Sequence, residues 1–422
     1  MSRAMRVGVI GAELARGWAT RAHFPALQGL PGVELFAVAD PEQSATAVAD
    51  QWGAQFACAN PTELVTHRQV DIVTIAGPVP GHDDLVRTAL AAGKHVFCEW
   101  PLTTNVQSAI ELRTLAAQSG VHHVVGLRGR ADPGVRFVRD LLARGEIGEV
   151  LGVTLSAAPA TPPESSAGES LLTGDGGQAL DILRFCLGEL AELSATFATR
   201  CPGVNSPDQV LVQGLLESGV AISAHLQAGA PGGTGFRMEV QGRRGALILA
   251  CPGRIGEQES TVLLARGSRG GASTIASRMP MGSPAARIVS TTAAMAEPET
   301  VASPVEGDGF EAVASRVIGA RADGRAATAP AGPGLHPSWG TASVLELMSA
   351  LEVLPVPESY RSGVATVSAG PAQGVARLYA ELVRAVRTGT PQDPDFTTAV
   401  GLHCLLDTVA EAASSRRCRS FG

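Results

Sequence analysis

The sequence predicts an α/β protein with an N-terminal Rossmann doubly wound parallel sheet and a C-terminal α+β domain built on a large, mostly antiparallel open sheet. Up to Gly126, apolar β-branched runs alternate with amphipathic helical stretches, a pattern typical of a parallel sheet covered on both faces. After Gly126, runs rich in Val, Leu and Thr recur at short spacing, which indicates antiparallel strands. The 422 residues favour two domains, which we place at residues 1-126 and 127-422.

The elements of the first domain follow in order along the chain. The predicted strands are Arg6–Ile10, Val33–Ala39, Ile72–Ala76, His95–Cys98 and Val121–Gly126. Between them, Ala45–Trp52 and Asp84–Ala92 have helical composition, and Gly93 is a typical helix terminator.

The second domain is predicted to begin with a helix, Gly134–Arg144, and to contain another at Gln178–Leu187. Its predicted strands are Val150–Ser156, Leu193–Thr199, Val210–Glu217, Val220–Gln227, Arg237–Gln241 and Ala246–Ala250. Two final helices, Ala372–Thr388 and Phe396–Ala413, are expected to pack beside this sheet. The low-complexity stretch 267-341 is rich in Ala, Gly, Ser, Thr and Pro, so we expect a loop insertion there.

Composition excludes several classes of function. The net charge of -7 is spread without basic or acidic runs, which argues against a nucleic acid partner. No apolar run approaches the roughly 20 residues that span a bilayer, so no membrane association is expected. The 7 cysteines are scattered without metal-ligand spacing, which predicts a cytoplasmic protein with reduced thiols and no metal.

A glycine-bearing turn follows the first predicted strand. Gly11 ends the strand, Ala12, Glu13 and Leu14 follow, and Gly17 opens the next helix. Backbone amides at such a helix start can receive a pyrophosphate, although a carboxylate at position 13 and the late second glycine depart from the usual dinucleotide pattern. A plain tight turn explains the run about equally well.

Asp40 ends the second predicted strand, where a carboxylate can accept the ribose hydroxyls of a dinucleotide. It could equally cap the helix that follows. Because neither Arg nor Lys occurs between Asp40 and Asp50, NAD is favoured, with NADP possible.

Longer motifs are more specific. Two runs resemble the glucose-fructose oxidoreductase, inositol dehydrogenase and MocA (Gfo/Idh/MocA) family. The first extends from Ile72 to Pro78 and is followed by His82. The second extends from Ala89 to Leu102 (Ala-Leu-Ala-Ala-Gly-Lys-His-Val-Phe-Cys-Glu-Trp-Pro-Leu). The resemblance implies an NAD(P)-binding oxidoreductase, with Pro78, His82, Glu99 and Trp100 near the cofactor and a homodimer or higher homo-oligomer.

The catalytic set that the resemblance implies is missing. The family uses a Lys after the Glu of its Glu-Lys-Pro motif, with an Asp and a His four residues apart; here these positions hold Trp100, Gly174 and Gln178. Neither an indole nor an amide titrates near neutrality, so neither is a general base. Asp175 could stand in if its loop is shifted, although a turn residue is the commoner role. The catalytic residues therefore stay unknown.

Other pocket positions carry open alternatives. Trp100 could stack on a nicotinamide or substrate, or plug the space of the missing Lys. Asp181 matches a family position in a short helix, and Arg130 could bind an anionic substrate or the cofactor, or form an ordinary surface salt bridge.

One subgroup of the family, that of the yeast galactose-regulon repressor, shares the Glu99-Trp100 pair and an irregular glycine loop. Three functions therefore remain open. The first is an oxidoreductase for a small sugar-like or cyclic alcohol or ketone with atypical acid/base residues. The second is a redox-silent, nucleotide-binding regulator or sensor with a small-molecule effector or protein partner. The third is a non-redox lyase, cyclase or hydrolase that retains bound NAD.

Overall fold

The computed structural model describes residues 3–11, 17–40, 45–159, 170–201, 204, 206–229, 232–266 and 351–421. The predicted loop insertion at 267-341 lies outside these residues. The described residues on both sides of the predicted domain boundary belong to one compact unit.

The first sheet is parallel, and its described strands take the order β3-β2-β1-β4-β5-β6. These strands are β1 (Met5–Ile10), β2 (Val33–Ala39), β3 (Phe56–Cys58), β4 (Ile72–Ile75), β5 (His95–Cys98) and β6 (His123–Val125). The order reverses between β1 and β4, which is where ligands bind in open α/β sheets. The predicted Rossmann domain is therefore confirmed.

Helices connect these strands on both faces of the sheet. They are α1 (Phe24–Gly29), α2 (Ala45–Trp52), α3 (Pro61–Thr66), α4 (His82–Ala91) and α5 (Val106–Ser119). The side chains of Asn60 and Asn105 accept hydrogen bonds from backbone amides at the first turns of α3 and α5. These bonds satisfy amides that have no partner within the helix.

The second sheet has the order β14-β13-β12-β11-β7-β10-β9-β8-β15 among the described residues. Its strands are β7 (Val150–Ala158), β8 (Leu190–Ala198), β9 (Gln209–Leu216), β10 (Ala221–Gln227), β11 (Gly235–Gly242), β12 (Gly245–Cys251), β13 (Thr261–Arg266), β14 (Leu351–Leu354) and β15 (Arg419–Ser420). Only β7 and β10 pair in parallel there, and the other described pairs are antiparallel.

The remaining helices frame the second sheet and join it to the first. They are α6 (Pro133–Ala143), α7 (Gly177–Leu187), the one-turn α8 (Glu358–Arg361), α9 (Pro371–Thr388) and α10 (Phe396–Ser415). No helix in the described part of the chain is long and apolar enough to cross a bilayer.

The position of α9 corrects the expectation that both final helices pack beside the second sheet. Val375, Leu378 and Tyr379 share a buried cluster with Val7 of β1 and Phe97 of β5. The helix therefore packs on the parallel sheet, whereas α10 lies between α5 and β8. The apolar stripe of α9 was visible in the sequence, but a stripe does not reveal which surface it will cover.

Candidate functional site

The carboxyl edge of the parallel sheet carries the predicted nucleotide positions. Gly11 follows β1 with φ +87°, and a Cβ built on it would lie 2.5 Å from the Cα of Gly77, which follows β4. The close approach of these two backbones requires glycine at position 11. Ala12, Glu13 and Leu14 lie outside the described residues, and the Gly17 carbonyl accepts a hydrogen bond from the Arg21 amide at 3.3 Å.

Asp40 lies immediately after β2, beside β1. It is 4% exposed, and its amide donates to the Cys58 carbonyl at 3.2 Å. A carboxylate at this strand end fits the ribose hydroxyls of NAD. The residues of this edge thus fit a dinucleotide, although the role of Asp40 itself stays a prediction.

His82 is buried at the start of α4. Its Nδ1 lies 2.9 Å from the Pro101 carbonyl oxygen and its Nε2 lies 2.8 Å from the Gly77 carbonyl oxygen. Burial lowers its pKa, and these carbonyls oppose that shift without overcoming it. Since both ring nitrogens contact backbone, the imidazole ties the turn after β4, which includes Pro78, to the cis Trp100-Pro101 peptide.

Glu99 belongs to a buried polar chain. Its Oε1 lies 2.9 Å from Nε2 of His23, whose Nδ1 lies 2.9 Å from the hydroxyl of Tyr379. That hydroxyl in turn contacts Thr74 Oγ1 at 2.7 Å. Burial raises the pKa of Glu99, but the His23 hydrogen bond and the charges of His23 and Arg128 outweigh burial and lower it. The carboxylate is therefore held ionised inside the protein.

Trp100 is buried at 5% exposure. Its indole Nε1 donates to the Thr173 carbonyl at 2.7 Å, and its ring lies 4.6 Å from that of His403 on α10. Burial lowers the pKa of His403 to about 4. The indole fills the interior between the Thr173 loop and α10, which matches the plug interpretation.

Gln178 and Asp175 lie near the start of α7. The Gln178 amide Nε2 donates to the Gly126 carbonyl at 3.1 Å, and Asp175 forms an ion pair with Arg254 in which Nε lies 2.9 Å from Oδ1. The backbone at Gly174 departs from helical geometry, with φ -84° and ψ -111°. Asp175 directly follows this kink, and its role as a proton acceptor stays a prediction.

Arg130 and Asp181 pair with each other inside the protein. Arg130 donates to Asp181 at 2.8 and 2.7 Å, and its third nitrogen lies 2.8 Å from Asp393 Oδ1. Burial lowers the Arg130 pKa, but the two carboxylates outweigh burial and raise it. Arg130 is 9% exposed, so its salt bridge with Asp181 is buried, whereas the Asp393 side chain is 47% exposed. A role of Arg130 in binding an anionic substrate or the cofactor stays a prediction.

A small open cleft of about 20 Å³ lies against the second sheet. Its polar lining residues are Arg128, Asp175, Gln178 and Arg254, and its apolar walls include Ala157, Ala179, Phe236 and Ile255. Asp175 is the only carboxylate on this lining within the described part of the chain. The cleft thus brings together two of the predicted pocket positions, whereas Trp100, Asp181 and Arg130 lie outside its lining.

Two arginines of this cleft were not predicted from the sequence as site residues. Arg128 lies over the Trp18 ring at 4.2 Å and pairs with Glu257 at 3.0 Å, and Arg254 holds Asp175. Arg128 stands two residues before Arg130 in the sequence, which was its only signal. Arg254 had none, because a loop after a strand does not show what it faces.

Comparison with known proteins decides the family. Residues 5–127 match the family model described as "Oxidoreductase family, NAD-binding Rossmann fold", and residues 135–248 match the GFO/IDH/MocA C-terminal domain. The chain belongs to the Gfo/Idh/MocA family. Its first domain is accordingly the NAD-binding domain of that family, as the strand order and the Gly11 turn indicate.

Within the Gfo/Idh/MocA family, the chain is similar to proteins with different printed functions. It is 24% identical over 271 residues to the galactose/lactose metabolism regulatory protein GAL80 of Kluyveromyces lactis, covering 54% of this chain and 59% of that protein. It is 30% identical over 254 residues to an inositol 2-dehydrogenase/D-chiro-inositol 3-dehydrogenase of Shouchella clausii, covering 58% and 72%.

Solved structures share the fold. An oxidoreductase domain protein from Kribbella flavida superposes with a TM-score of 0.71 at 18% identity, covering 100% of both chains. This likeness supports the arrangement of both sheets.

Proposed function

We propose that this protein is an NAD-dependent oxidoreductase for a small sugar-like or cyclic alcohol, or the corresponding ketone, and that Asp175 accepts the proton. The single observation that carries the proposal is the presence of Asp175 and Gln178 on the lining of one small cleft, with Arg254 holding the carboxylate. Similarity to inositol dehydrogenases favours a polyhydroxylated ring as substrate.

The chemistry needs one proton acceptor at the substrate hydroxyl. NAD, held at the edge that carries Gly11 and Asp40, would supply the acceptor for the hydride of the carbinol carbon. As that C–H bond breaks, the hydroxyl proton passes to a carboxylate oxygen of Asp175, and the C–O bond becomes a carbonyl. Arg254 orients the carboxylate, and the amide of Gln178 is tied to Gly126, so it can shape the cleft but cannot take the proton.

The role of each residue in binding NAD is a prediction. Gly11 and Asp40 contact the dinucleotide in this proposal, together with the loop of Ala12, Glu13, Leu14 and Gly17. Pro78, His82 and Glu99 act mainly by holding the turn after β4 and the segment after β5, because their polar atoms are engaged with the protein. Trp100 supports the wall of the site from within.

The test is whether the full chain reduces NAD when it is given inositols, anhydrosugars and aldoses. The absorbance of the reduced nicotinamide measures the reaction. We expect Asp175→Asn to lower kcat at least about 100-fold with an accepted substrate, since an amide cannot act as base. NADH affinity should stay unchanged. Glu149→Gln, which alters an exposed carboxylate paired with Arg243, is the matched control and should leave kcat unchanged.

A redox-silent regulator is the alternative, favoured by the loss of the family acid/base residues at positions 100, 174 and 178 and by similarity to GAL80. Binding of NADH without reduction of NAD by any substrate in the panel would support this alternative. Full activity of Asp175→Asn would instead reject only the role of Asp175.

Location and assembly complete the proposal. The seven cysteines are free, which suits a cytoplasmic protein, and a homodimer or higher homo-oligomer is expected from the family. We keep residues 1-126 and 127-422 as the proposed domains, with the exception that α9 packs on the first sheet.

A further inference from the structure

A second cleft, separate from the one that holds Asp175, lies between α6 and α9 and has a volume of about 650 Å³. Four arginines line it, and they come from both helices. These arginines are Arg136 and Arg139 of α6 and Arg377 and Arg384 of α9. Cationic side chains from two rigid elements thus face one space.

The carboxylates of this cleft are already engaged. Glu381 lies 3.6 Å from Arg136 and 3.0 Å from Arg384. Asp393 pairs with Arg130 at 2.8 Å, and Asp140 accepts a hydrogen bond from the hydroxyl of Tyr360. The Tyr360 hydroxyl is neutral, so Asp140 keeps its charge, but none of the three lining carboxylates forms an ion pair with Arg139 or Arg377.

Arg139 and Arg377 form no ion pair within the described residues. Arg139 lies over the Phe185 ring at 4.2 Å and forms no ion pair there. Arg377 forms neither an ion pair nor a hydrogen bond with those residues, and its Nε is buried without a partner. Burial lowers the pKa of Arg377, Asp132 opposes this shift, and the charges of Arg136 and Arg361 reinforce it.

Burial of the Arg377 Nε without a partner is unfavourable, whereas Arg139 is exposed. An anion placed between the two side chains would offset the charge of both. Planar guanidinium groups also match the oxygen geometry of phosphates and carboxylates. We propose that the cleft between α6 and α9 binds a small multivalent anion, bearing phosphate or several carboxylates, through Arg139 and Arg377.

The proposed site is close to the helix that carries Gln178. Phe185 of α7 lies against both Arg139, at 4.2 Å, and Arg130, at 4.9 Å. Arg130 in turn binds Asp181 of the same helix. The Phe185 ring of α7 thus contacts Arg139 of the proposed site and Arg130 alike.

Calorimetric titration of the full chain with pyrophosphate and with citrate tests the proposal. The ionic strength is held constant with chloride. NADH is present so that it occupies the edge at Gly11 and Asp40 and keeps pyrophosphate from binding there. We expect submillimolar binding of at least one anion, and a loss of affinity of at least about tenfold in Arg139→Gln/Arg377→Gln. NADH affinity should not change in this variant.

The matched control is Arg243→Gln/Arg266→Gln, which removes two arginines whose side chains are 64% and 63% exposed and should leave anion affinity within about twofold. Binding of pyrophosphate alone, citrate alone or both supports the site and identifies the preferred group. If the glutamine variant does not fold, Arg139→Lys/Arg377→Lys keeps the charges and should bind about three- to tenfold more weakly. Absence of binding up to about 10 mM, or affinity unaffected by these variants, overturns the proposal.

Discussion

The carboxyl edge of the parallel sheet and the cleft on the second sheet are specified in different ways. At the parallel sheet, the close approach of Gly11 to Gly77 is a property of the two backbones. In the cleft, Asp175, Gln178 and Arg254 contribute side chains, which substitution can exchange without moving a strand. The comparison suggests why a chain of this family can keep its NAD-binding domain while its acid/base residues change.

Trp100 marks the boundary between the two regions, and its removal should have the largest effect on stability. We expect Trp100→Ala to lower the free energy of unfolding by about 3–5 kcal/mol, because it leaves a cavity beside His403. Urea unfolding measures this change. Trp100→Phe is the matched control and should cost about 1 kcal/mol, since it keeps an aromatic ring and loses the bond to the Thr173 carbonyl.

The same variants distinguish the plug from a stacking role. If the indole only fills the interior, Trp100→Phe should bind NADH with unchanged affinity. A fall in NADH affinity of more than about tenfold in a folded Trp100→Phe protein would place the indole against the cofactor instead.

Gly11→Ala tests the backbone control of the nucleotide edge. We expect a loss of about 3 kcal/mol in unfolding free energy, with weaker NADH binding, because the new Cβ would meet the Gly77 backbone at 2.5 Å. Gly53→Ala is a close control: Gly53 has φ +75° and open space around its would-be Cβ. It carries the strain of a positive φ without the collision and should cost only about 1 kcal/mol.

Thermal or urea unfolding and a fluorescence titration with NADH measure both effects. Equal losses in the two variants would mean that the approach of Gly11 to Gly77 contributes nothing beyond the φ angle.

Sequence alone located the elements of the nucleotide edge well. Val33–Ala39 and His95–Cys98 were predicted with their exact ends, because β-branched and aromatic runs there are bounded by Asp40 and by Gly93. The strand Phe56–Cys58 was missed, since three residues give too short a pattern. The two-residue strand Arg419–Ser420 was missed for the same reason.

The cleft was less predictable for a physical reason. The positions of Asp175 and Gln178 followed from the resemblance, but Arg128 and Arg254 reach the same space from distant parts of the chain. Likewise, Tyr379 joins His23 only because α9 packs on the parallel sheet. Periodicity predicts that an apolar face will be covered, whereas the partner depends on tertiary packing.

The pH dependence of stability offers a smaller test, which concerns the buried His403 beside Trp100. Its pKa falls from an ordinary 6.5 to about 4 in the folded protein because of burial, so the unfolded chain binds more protons between these values. Stability should therefore decrease as pH falls through this window. Between pH 6.5 and 5 the contribution of His403 is about 1.6 kcal/mol. We expect His403→Phe to remove that share while keeping a ring beside Trp100.

The measurement is urea unfolding of both proteins across this pH range. His123, whose pKa burial also lowers to about 4, should preserve part of the slope in the variant. His225→Phe, which removes an exposed histidine, should leave the slope as it is. An unchanged slope in His403→Phe would show that folding does not lower the pKa of His403, and hence that water reaches the ring beside Trp100.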